Sequence, residues 1–63
     1  MQTLLNNLIN GNLTLARIQA RRYALFVIAR AAVEHCGYSR NKAIMAAAYL
    51  KGRATFQAYC DAV

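Results

Sequence analysis

The stretch TLARIQARRYALFVIARAAVEHCG, residues 14–37, decides the fold. It contains no proline, and its only glycine is the last residue. Thr14 is a good N-cap, and Leu13 with Ile18 would occupy the N′ and N4 positions of a hydrophobic staple. Gly37 supplies the left-handed C-cap that a β-carbon would penalise. The pattern therefore predicts one long helix over about 14–36. At about 100° per residue, Leu15, Ile18, Leu25, Ile28, Ala29, Ala32, Val33 and Cys36 share one face, with Phe26 at its edge. Ala16, Ala20, Ala24, Val27 and Ala31 form a second strip opposite, small enough for another backbone to approach closely. A helix apolar on two sides needs two sets of neighbours. In so short a chain the second neighbour is expected to be another copy of itself.

Outward from this segment, Asn10-Gly11-Asn12 is the clearest break, because Asn and Gly tolerate positive φ. Residues 1–12 form an arm or a short helix, capped by Thr3, with Leu4, Leu5, Leu8 and Ile9 on one side. On the other flank, Ser39 caps a second helix over about 39–62. Met45, Tyr49, Gly52, Phe56, Tyr59 and Val63 recur along it at a heptad-like spacing. Gly52 either breaks this element, with Thr55 capping a further short helix, or is a weak spot inside one helix. The stripe keeps its phase across the glycine, which favours continuity. The expected fold is all-α, a single domain over 1–63. It is a long helical hairpin with a short N-terminal helix or arm, pairing into a helical homodimer. Its core and dimer contacts are assigned to Leu15, Ile18, Leu25, Phe26, Ile28, Val33, Met45, Tyr49, Phe56 and Tyr59.

Composition narrows the function. A chain of 63 residues is one small domain, and 13 of its residues are Ala, so its capacity to fill a core is modest. Cys36 and Cys60 are too few for the disulfide framework of small secreted domains, so a reduced, cytosolic protein is expected. The opening Met1-Gln2-Thr3-Leu4-Leu5 lacks a basic signal-peptide region, and apolar runs such as Tyr23 to Ala29 are far short of the about 20 residues a membrane span needs. No membrane partner is expected. Catalysis is disfavoured by an acid inventory of Glu34 and Asp61, a single His35 and no phosphate-cradling glycine loop. Adjacent helix residues project about 100° apart, so His35 and Cys36 do not face each other as a catalytic pair. His35, Cys36 and Cys60 lack the spacing of a metal site, and no cofactor is implied. Binding or regulation remains. Eight Lys and Arg against two acids give +6, and Arg17, Arg21, Arg22 and Arg30 precede any acid. With Arg40, Lys42 and Arg53 they form the candidate basic surface. It is either an ordinary wet face or a contact for nucleic acid, an acidic protein or anionic lipid.

Two resemblances add to this. Ala32-Val33-Glu34-His35-Cys36-Gly37 followed by Tyr38-Ser39-Arg40-Asn41-Lys42-Ala43 resembles the first two helices of the DNA-binding tail of the factor for inversion stimulation and nitrogen-regulator-type activators. Arg53-Ala54-Thr55-Phe56 resembles the start of the recognition helix. This implies a helix-turn-helix DNA binder as the alternative function. Departures are Tyr38-Ser39 where Gly-Asn is usual, Ala48 where the second turn carries Gly, and about two extra residues before Thr55. Over its whole length, from Met1-Gln2-Thr3-Leu4-Leu5 to Asp61-Ala62-Val63, the chain also resembles the small early proteins encoded between the exo and xis genes of lambdoid phages. That resemblance implies an early phage product of the host cytoplasm, with an unidentified host or phage protein as partner. Such proteins are associated with the choice between lysis and lysogeny and with host growth, and the resemblance carries over no catalytic residues.

Overall fold

The computed structural model describes residues 1–62, so Val63 of the expected stripe lies outside the described residues. Five helices follow one another: α1 (Gln2–Ile9), α2 (Leu13–Ala20), α3 (Leu25–Cys36), α4 (Arg40–Leu50) and α5 (Phe56–Asp61), with no strand among the described residues. The all-helical architecture agrees with the sequence pattern. The two long helices do not form.

The expected 14–36 helix breaks at residues 21–24. An unbroken helix of that length would be about 34 Å long at about 1.5 Å per residue. The folded molecule measures only 23 × 22 × 21 Å, so a straight rod would leave most of its apolar surface wet. Instead the chain tightens after α2: Arg21, Arg22 and Tyr23 N–H groups donate to Ile18, Gln19 and Ala20 carbonyls, three residues back. Ala24 is then extended (φ −70°, ψ 152°) and opens α3. A cation braces the break: Lys51 Nζ donates to Tyr23 O at 2.8 Å and, as a second donor beside Tyr23 N–H, to Ala20 O at 3.1 Å. The start of α2 also departs from expectation. Asn12 is its N-cap without a side-chain cap bond, which puts Thr14 inside the first turn rather than at the cap, so no staple geometry applies.

The expected 39–62 helix stops at Leu50. Gly52 takes φ 76°, a left-handed conformation that a β-carbon disfavours, and Arg53 N–H closes the turn onto Ala48 O at 2.7 Å. Thr55 Oγ1 then accepts from Ala58 N–H at 3.1 Å and starts α5. The aromatic residues account for this fold-back. Tyr49 and Phe56, seven positions apart, would be separated by about 10 Å along a continuous helix. The turn brings their rings to 5.6 Å and stacks Tyr49 on Tyr59 at 6.0 Å. Offset-stacked and edge-to-face pairs contribute about 0.5–1.5 kcal/mol each beyond burial.

The two caps between the long elements are where the sequence placed them. Gly37 ends α3 at φ 70°, and Ser39 Oγ accepts from Lys42 N–H at 3.2 Å. The short N-terminal helix is present, with Met1 rather than Thr3 as its cap, and it buries Leu4, Leu5 and Leu8. Asn7 ties it to α2 through Gln19 Oε1 at 2.9 Å, and the N-terminal ammonium donates to the Tyr23 hydroxyl at 2.8 Å.

The core reverses the expected faces on α2, whereas on α3 the expected face, Ile28, Ala29 and Ala32, turns inward. It consists of Leu4, Leu5, Leu8 and Leu50, Ile28, and seven alanines at positions 16, 20, 29, 32, 43, 46 and 47. On α2 the small strip Ala16 and Ala20 is buried, whereas Leu15 and Ile18 are exposed. Of the ten assigned contact residues, Ile28 is buried and Leu25, Met45, Tyr49 and Tyr59 are half-buried. Leu15, Ile18, Phe26, Val33 and Phe56 are exposed and are not core residues of the single chain. Close helix approach explains the inversion. Alanines fill buried positions on α2, α3 and α4, and on α2 the larger Leu15 and Ile18 face outward.

Candidate binding surfaces

Two concave features arise from this packing. The first is a groove of about 330 Å³ between α3 and α4. Phe26, Ala29, Val33, Ala43 and Ile44 line it, and Arg30, Glu34 and Arg40 rim it. Phe26 is 74% exposed although α3 holds it in place, with Ile28 and Ala29 of the same turn packed inward. Arg30 Nε lies 2.9 Å from Glu34 Oε1, an exposed i,i+4 pair. A pair of this kind contributes about 0.3–0.5 kcal/mol.

The second is a cleft of about 380 Å³ between α2 and the α4–α5 turn, lined by Thr14, Arg17, Ile18, Arg21, Leu50, Lys51 and Gly52. Arg17 holds its guanidinium carbon 5.3 Å over the Tyr49 ring. The fold therefore divides the seven candidate basic residues. Arg17 and Arg21 meet at this cleft, and Arg30 and Arg40 rim the apolar groove. Lys42 sits 4.6 Å over the Tyr38 ring, Arg22 lies beside the N-terminus, and Arg53 follows the Gly52 turn. Sequence reading missed Lys51, because its partners lie 28 and 31 positions away and no local signal announces such a contact.

The polar groups elsewhere are structural in their surroundings. Tyr38 and Tyr59 hydroxyls lie 3.2 Å apart and share a hydrogen bond. Burial, reinforced by that bond, holds the Tyr38 phenol well above its ordinary value of 10.0. Burial also pushes the Cys36 thiol up, away from the thiolate a nucleophile needs. Cys36 is half-buried, Cys60 is exposed, and both are free thiols. Among the described residues no group of His, Cys, Asp and Glu is placed to hold a metal ion. Nor is any helix there long and apolar enough to cross a membrane.

Comparison of the chain with families of known proteins, with curated proteins and with solved structures gives no match.

Proposed function

We propose that this chain is a small, basic, non-enzymatic binding protein that works as a homodimer. On this reading it is an early lambdoid phage regulator acting on a host or phage macromolecule in the host cytoplasm, in lysis–lysogeny or host-takeover control. The observation that carries the binding role is Phe26, a large aromatic 74% exposed at the edge of an apolar groove. An exposed apolar patch with a charged rim is the usual mark of a protein contact. The groove and its rim offer both halves of a two-fold contact, an exposed apolar ring in Phe26 and charges of both signs in Arg40 and Glu34. In a two-fold pair, residue i meets j while j meets i. One Phe26 can then enter the groove of the second copy, and Arg40 of each copy can approach Glu34 of the other. Sedimentation tests the pairing. The wild type is expected to be a dimer at micromolar concentration, and Phe26→Asp a folded monomer, since the position is exposed within one chain. A wild type that sediments as a 63-residue monomer overturns the reading.

The turn at Gly52 supports a second reading, a helix-turn-helix DNA binder, because it sets α5 off as a separate helix behind its Thr55 cap. Arg53, Thr55 and Gln57 would then approach a groove. Sequence-specific binding that Arg53→Ala abolishes would favour this reading over the first.

A further inference from the structure

The cleft between α2 and the α4–α5 turn concentrates positive charge, with no acidic side chain among the described residues that line it. Arg17 on α2 and Arg21 at its C-cap stand about one turn apart, and Lys51 joins them from the C-cap of α4. The chain's two acidic side chains are engaged elsewhere: Glu34 with Arg30 at 2.9 Å, and Asp61 as acceptor from Gln57 at 3.0 Å. Lys51 is fixed by the carbonyls of Ala20 and Tyr23. These neutral acceptors anchor the ammonium without cancelling its charge. The Tyr49 ring under Arg17 acts in the same way. Like charges at i,i+4 repel, so the unliganded arrangement carries a penalty that a bound anion relieves.

We propose that this cleft binds the phosphodiester backbone of nucleic acid. Arg17 and Arg21 contact phosphate oxygens, Lys51 supplies a fixed charge between α2 and the turn, and the Thr14 hydroxyl offers a further donor. A polyanion suits the site better than a small phosphate, because Arg22 and Arg53 carry positive charge beyond the cleft. Both are exposed, and they directly follow Arg21 and Gly52 in the chain. The contacts reach phosphate rather than base edges, so binding is independent of sequence. The cleft shares no lining residue with the α3–α4 groove, and it is complete within one chain.

Fluorescence anisotropy of the full chain on a short mixed-sequence duplex, across a salt series, tests this. Each lost phosphate contact lowers the slope of log K against log salt by about 0.9, so Arg17→Gln/Arg21→Gln is expected to reduce it by about two. Arg17→Lys/Arg21→Lys, which keeps the charges, retains the wild-type slope. The same difference persists in a Phe26→Asp background, which separates the cleft from the pairing face. An unchanged slope in the Gln variant overturns the proposal, and so does a comparable loss on Arg40→Gln, which would reveal only diffuse attraction. Binding to inorganic phosphate or to anionic vesicles without duplex binding overturns it as well.

Discussion

Lys51 makes two long-range hydrogen bonds, to Ala20 O and Tyr23 O. Its ammonium thereby joins the end of α4 to these two carbonyls where α2 stops, the second of which has no backbone donor among the described residues. A charged hydrogen bond contributes about 1.5–3 kcal/mol, and an acceptor left without its donor, here Tyr23 O, adds a desolvation cost. Lys51→Met keeps most of the stem and removes both bonds. It is expected to lower stability by about 2 kcal/mol, a large part of the margin of a domain this small. Thermal or urea unfolding checks this. Tyr38 gives a second test at the same scale, in pH. Its pKa is raised by burial and by the bond to Tyr59, so the folded state favours the neutral phenol. That contribution is fully present below the ordinary value of 10.0 and is lost as pH rises above it toward the folded pKa. Melting temperature is expected to fall above pH 10.0, and to fall less steeply in Tyr38→Phe.

At the level of elements, Gly52 separates a continuous helix over 39–62 from the observed pair α4 and α5. Its φ of 76° lies where Ala is strained, with no atom close enough to clash with an added β-carbon. Gly52→Ala is therefore expected to destabilise by about 1 kcal/mol through conformation alone, whereas in a continuous helix the same change would stabilise by a similar amount. The sign of the melting shift decides. Elements with local punctuation were legible: the Asn10-Gly11-Asn12 turn, the Gly37 and Ser39 caps, and Thr55 as a cap in waiting. The break at residues 21–24 was not, because Arg21-Arg22-Tyr23-Ala24 contains neither glycine nor proline. Its cause is tertiary: Lys51 capping from 28 to 31 positions away, and a fold too small for a long rod. The candidate surfaces were legible in the same partial way. Composition identified the arginines, but only packing divides them between a groove and a cleft.

For the whole molecule, periodicity located the apolar faces and could not say which of two would turn inward. A chain with 13 alanines buries area by bringing backbones together, so Ala16, Ala20, Ala43, Ala46 and Ala47 occupy the interior while Leu15 and Ile18 remain outside. Paired substitutions weigh the two arrangements. Ala46 is fully buried, and Ala46→Leu forces extra volume into a close helix contact, with an expected cost of about 1–3 kcal/mol. Leu15→Ala and Ile18→Ala remove large side chains that are each 53% exposed, and are expected to change stability by no more than about 0.5 kcal/mol. If those two side chains filled the core, as their spacing on the sequence suggests, each truncation would cost about 2–5 kcal/mol. Neither residue lines the α3–α4 groove, so both variants are also expected to sediment with the wild type. A dimer weakened by Leu15→Ala or Ile18→Ala would move the pairing face to α2 and leave Phe26 exposed without a role in it.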